Sequence, residues 1–168
     1  MTQSPLQLLD YWAIKIHVDA QADFDPDSTT EIPIQSLEVT PKVRALPQKG
    51  DNDNGTTWHI DLHINLKPSE GANIPYLFAL HLQGIVSAHP GLKGETLQRA
   101  IHANGPALLF GAGREIIRAA TGRGPYAPVI IPSTNFLTDL PAPKAKKAAK
   151  KSPKKKAAKK AAKKSPKK

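Results

Sequence analysis

The chain has 168 residues, enough for one domain with a two-layer core, or for such a domain with a tail. Its 24 Lys and Arg stand against 14 Asp and Glu, but 14 of the lysines lie between Pro141 and Lys168, where no acid occurs; the body through Leu140 carries 10 basic and 14 acidic residues, a net of −4. There is no cysteine, which excludes a disulfide framework, a thiol nucleophile and a thiolate metal site.

The opening MTQSPLQLLDYW lacks a basic region followed by an apolar run, and no stretch approaches the roughly 20 apolar residues of a membrane span. A cytoplasmic protein without an integral membrane segment is expected. In YWAIKIHVDAQADF, residues 11–24, apolar and polar positions alternate. Trp12, Ile14, Ile16, Val18, Ala20, Ala22 and Phe24 fall on one face, with Lys15, His17, Asp19, Gln21 and Asp23 on the other, which predicts a half-buried strand. DPDSTT, residues 25–30, is built of turn formers. EIPIQSLEVTPKVRAL then reads as a crossover loop leading into a second strand, placed at an edge by Pro33 and Pro41.

After the turn-rich QKGDNDNG, TTWHIDLHINL alternates again with Trp58, Ile60, Leu62, Ile64 and Leu66 inward, so strands two and three form a hairpin. YLFALHLQGIVSA is apolar on both faces in places, as a central or interface strand is. Two helices follow by this reading: Glu95 to Ala103, stopped at Asn104-Gly105, and Pro106 to Thr121. On the second, Leu109, Gly113, Ile116, Ile117 and Ala120 make one apolar stripe. The fold class is therefore α+β, a four-stranded antiparallel sheet with two helices on one face, the remaining apolar surface being buried by self-association. Residues 1–140 form the domain and 141–168 a disordered Lys-rich tail.

Gly111 and Gly113 invite comparison with a phosphate-binding loop, but the fingerprint needs a third glycine where Ile116 stands, and Gly-Lys-Ser/Thr occurs nowhere. They lie inside a helix instead. No G-x-S-x-G, H-E-x-x-H or suitably placed carboxylate pair is present, so no enzyme activity and no cofactor are expected. His59, Asp61 and His63 share one face of the third strand, with His17 and His81 placed on the same polar face; such a ladder can supply metal ligands, although an ordinary solvated polar face is the expectation and no metal is assigned.

LQGIVSAHPG, LLFGAGREII, TGRGPYAPVIIP and the closing TNF resemble, in order and spacing, the bacterial SecB family of protein-export chaperones. The likeness covers roughly residues 11–140 and is densest over 83–136. It implies a dimer of dimers with helices at the tetramer interface, and an ATP-independent holdase that keeps unfolded precursors in apolar grooves and passes them to the SecA motor. Some relatives instead control toxin–antitoxin pairs. The chain departs from the family at Gly111-Ala112-Gly113, where Pro-Tyr-Ala is usual, and at Ser133-Thr134. Of the positions where the family docks its motor, Asp25 and Leu77 match, whereas Gln21 and Ala79 stand where acids are expected.

Binding of unfolded clients rests on apolar burial, at about 25 cal/mol per Å². Ile32, Pro33, Ile34 and Leu37, with Phe136 and Leu137, are the candidate client contacts. Gly111, Gly113 and Ile117 are expected at the tetramer interface, the glycines letting helices meet closely. The tail repeats AAKKSPKK, at residues 148–155 and 161–168, as linker-histone tails do. Lys150, Lys151, Lys154, Lys155, Lys163, Lys164, Lys167 and Lys168 are its candidate polyanion contacts, for nucleic acid or an anionic surface, acting by counterion release without base reading. The rival reading is a polyanion-binding protein that uses the domain to multimerise this tail.

Overall fold

The structure, a computed structural model, describes residues 4–28, 36–47 and 57–136. Four strands, β1 (Leu6–Ala20), β2 (Leu37–Ala45), β3 (Thr57–Leu66) and β4 (Tyr76–Ala88), precede one helix, α1 (Gly94–Thr121). The sheet order is β1-β4-β3-β2 and every neighbouring pair is antiparallel, so β1 and β2 are its edges.

The alternation in β3 is fully used. Trp58, Ile60, Leu62, Ile64 and Leu66 are buried under the helix, and the residues between them are half-buried on the outer face. Direct cross-strand pairing carries the same parity into β4, where Tyr76, Phe78, Leu80, Leu82 and Val86 complete the inner face. Leu109, Ile117 and Phe110 of α1 close this core from above.

The helix is one element where two were expected. Asn104-Gly105-Pro106 reads locally as a stop, and an internal proline forfeits a ladder hydrogen bond and crowds the carbonyl of His102, at a cost of about 3 kcal/mol. Here Ile101, Ala103, Gly105, Pro106 and Leu109 are all buried in sequence, so continuing the helix keeps an unbroken apolar face on the sheet. Packing outweighs the local signal.

Close approach to the sheet also explains the glycines. A Cβ on Gly113 would stand 2.7 Å from Ile64 Cδ1 and 3.2 Å from Leu80 Cδ2, and one on Gly105 would stand 2.6 Å from Ile60 Cδ1. Gly113 therefore meets the sheet of its own chain, not another helix, and the fully buried Ile117 packs there too. This corrects the helix-to-helix contact expected of Gly113 and Ile117: their side of α1 is consumed within the subunit. Gly111 faces open space.

Beyond the helix the chain runs back over the core in extended form. Tyr76 Oη accepts from Tyr126 N–H at 2.9 Å and lies 3.0 Å from Thr121 O and 3.1 Å from Tyr126 O, either of which its proton can serve. Thr121 Oγ1 accepts from Val129 N–H at 3.0 Å, and Arg114 Nε donates to Ile131 O at 2.8 Å. These bonds seat Val129, Ile131 and Phe136 in the core.

Two sets of substitutions check this packing. In urea titrations, Gly113→Leu is expected to lower unfolding free energy by upward of about 2 kcal/mol through overpacking, whereas Gly111→Ala raises it by about 0.5–1 kcal/mol. Tyr76→Phe should cost about 1–3 kcal/mol, because the Tyr126 N–H loses its acceptor in a part-buried setting.

Candidate functional site

The described residues leave an apolar surface on one edge of the sheet. Leu9, Tyr11, Trp12, Ile14 and Ile16, all on β1, are 37–55% exposed, and the other large exposed apolar side chains among the described residues are Leu108 and Ile130. A run that alternates so regularly was expected to bury one face. Two register irregularities prevent it: the pairing with β4 slips between Leu8 and Asp10 and again between Ala13 and Lys15, leaving Leu9 and Ile14 as the extra residues.

Because directly paired residues share a face, Trp12, opposite Gln83, lies on the outer face, whereas Ile16, opposite Leu80, lies on the helix side. Trp12, Ile14 and Ile16 are thus not on one face, which corrects the sequence reading. The helix lies over β1 and β4 more than over β2, and Leu6, Leu8 and Val18 of β1 reach the core beneath it, yet Tyr11 and Ile16 on the same side stay exposed. An edge strand that exposes large apolar side chains on both faces, beside its own unpaired backbone groups, suits an extended apolar chain.

The residues expected to bind clients divide differently. Phe136 is buried, its ring edge-on to Phe110 with centroids 5.9 Å apart, and so serves the subunit core instead of an open groove. Leu37, opposite Leu66, is half-buried against that core. Ile32, Pro33, Ile34 and Leu137 lie outside the described residues, as do all the tail lysines.

Asp25 and Leu77 are linked only through Asn73, which bonds to the first and lines a cleft with the second. Asn73 accepts from the Asp25 N–H at 2.9 Å and donates to its carbonyl at 2.8 Å, holding the turn. The same Asn73 lines a cleft of about 400 Å³ with Gln21, Phe24, Ile74 and Leu77. The Asp25 carboxylate also accepts from Asp27 N–H, so this acid is both exposed and positioned. Asn73 escaped the sequence reading, since nothing in GANIP ties it to a turn 48 residues earlier.

The polar ladder on the outer face is only partly gathered. His17 pairs with Asp19 at 2.7 Å, and the His59 ring lies 6.2 Å from that of Trp12. Asp61, His63 and His81, by contrast, converge. Burial raises the pKa of Asp61, but the hydrogen bonds from Gln83 and His81 and the charges of His81 and His63 outweigh it, and the carboxyl is held below its ordinary value.

A family model described as preprotein translocase subunit SecB matches residues 16–140. The protein-export protein SecB of Saccharophagus degradans is 29% identical over 119 residues, which cover 67% of this chain and 70% of that protein. Among solved structures, a protein of unknown function from Streptococcus agalactiae aligns with a TM-score of 0.51 at 10% identity, covering 76% of this chain and 96% of that one. A SecB-like chaperone of Mycobacterium tuberculosis, in complex with a ChAD peptide from an antitoxin, aligns with a TM-score of 0.43 at 14% identity, covering 76% and 89%. Among the described residues no helix is long and apolar enough to cross a membrane. With the family model matching most of its length, and a sheet of four antiparallel strands under a helix to carry the match, the chain belongs to the SecB family.

Proposed function

We propose that the protein is an ATP-independent holdase that binds unfolded preproteins in the cytoplasm and keeps them competent for export. The observation that carries this reading is the concentration of exposed large apolar side chains on β1. Each Ile or Leu taken from water to full burial is worth about 1.5–3 kcal/mol, so a few such contacts hold an extended segment without any side-chain code. No bond is made or broken, which fits a binding protein and not an enzyme.

The assembly we propose is a homotetramer, a dimer of dimers. Its subunits retain the exposed side of α1, around Leu108 and Gly111, and the β1 edge for contact with one another and with clients. The cleft lined by Leu77 and the acid Asp25, joined through Asn73, form the candidate docking point for the SecA motor, pairing an apolar element with an acidic one. The domain ends near residue 140. The net charge of +14 on residues 141–168 suits the tail to nucleic acid or an anionic surface, and four tails in one assembly would add avidity.

Light scattering of an aggregating, chemically unfolded client tests the function. The full chain is expected to suppress aggregation near stoichiometric ratio without ATP, and Ile14→Ser with Ile16→Ser to weaken suppression severalfold while the exposed positions leave folding intact. Removing residues 141–168 should leave suppression unchanged and abolish salt-sensitive retention on a polyanion column. A full chain that never suppresses aggregation would refute the chaperone reading, and undiminished polyanion retention without the tail would refute the role given to the lysines.

A further inference from the structure

The outer face of the sheet carries a cluster that client binding does not use. Asp61 and His63 stand two residues apart on β3, so they project from the same face, and His81 is the direct cross-strand partner of His63 on β4. The two imidazoles stack with centroids 4.0 Å apart and planes 18° from parallel. Both turn Nε2 toward the carboxylate, His63 to Oδ1 at 3.0 Å and His81 to Oδ2 at 3.1 Å. One donor atom from each of the three residues lies within 4.8 Å of the other two.

Three features separate this cluster from an ordinary polar face. Oδ1 of Asp61 is buried and accepts no hydrogen bond: His63 Nε2 stands at contact distance but out of line. Gln83 Nε2 donates to Oδ2 at 2.9 Å and so helps fix the carboxylate, as an outer-shell partner does. The ion pairs of Asp61 run to the two imidazoles and not to Lys42, its register partner on β2. The carboxylate thus faces two imidazole nitrogens.

We propose that Asp61, His63 and His81 form a binding site for one borderline divalent transition ion of the Zn²⁺, Ni²⁺ or Cu²⁺ class. Two imidazoles and a carboxylate are a donor set these ions accept, whereas Ca²⁺ and Mg²⁺ call for more oxygens. A tetrahedral ion at about 2.0–2.1 Å from its ligands needs donors about 3.4 Å apart. The separations from the carboxylate to each ring nitrogen are already that short, so binding asks only that the stacked rings splay until both lone pairs meet the ion. With three protein ligands, a fourth position stays open toward the solvent side, since His63 is 36% exposed. The ion would clamp β3 to β4 at the centre of the open face.

Equilibrium dialysis and native mass spectrometry of the untagged full chain with Zn²⁺ test the site. One ion per subunit is expected. His81→Gln and Asp61→Asn should each weaken binding by at least about tenfold, and His59→Gln, on the same face of β3 but beside Trp12, should leave it unchanged. In the unmutated protein, the imidazole resonances of His63 and His81 should move on addition of Zn²⁺ while those of His89 and His102 stay in place, a readout independent of how variants fold. No stoichiometric ion in the unmutated protein, or equal binding by His81→Gln, overturns the proposal and leaves the cluster a polar contact only.

Discussion

The seating of α1 on the sheet is the contact from which the remaining features follow. Gly105 and Gly113 remove the side chains that would hold the helix off, and Ile60, Ile64, Leu80 and Leu82 fill the space up to the helix backbone. That close approach is what carries the helix through Asn104-Gly105-Pro106, because breaking it would lift Leu109 and Ile117 from the core. A single helix cannot cover a four-stranded sheet whose edge strand is 15 residues long. Along β1, Leu6, Leu8 and Val18 reach the core while Leu9, Tyr11, Trp12, Ile14 and Ile16 stay exposed, and these are the side chains proposed to meet clients.

The sequence revealed most where one periodicity ran without interruption. In β3 every second residue from Trp58 to Leu66 is buried, and the edge position of β2 was legible in Pro41. It revealed least where a local signal met a non-local force. The irregularities at Leu9 and Ile14 have no mark in composition, because the strand still alternates on paper while its pairing with β4 slips. The stop at Asn104-Gly105 was real as propensity and lost to packing. The smooth side of the helix at Gly113 was correctly suspected of close contact, but only the structure shows that the contact is with the chain's own sheet.

The same division holds on the outer face. The spacing His-x-Asp-x-His placed three residues on one side of a strand, yet which histidines meet Asp61 depends on the β3–β4 register, which brings in His81 and leaves out His59 and His17. Phe136 carried the wrong promise for a related reason. An apolar residue after a proline-rich segment looks available for clients until the bonds from Tyr76, Thr121 and Arg114 draw that segment onto the core. The surfaces of the subunit thus differ: one face of the sheet is buried by the helix, one edge exposes large apolar side chains, and the other face gathers Asp61, His63 and His81.

The central claim is that the apolar edge of β1 is a working surface, and Trp12 reports on it directly. The chain has 2 Trp, and Trp58 is buried in the core. In a Trp58→Phe variant of the full chain, addition of an unfolded client that lacks tryptophan should shift Trp12 emission to shorter wavelength and reduce its quenching by iodide. Unchanged emission and quenching at saturating client would contradict the account.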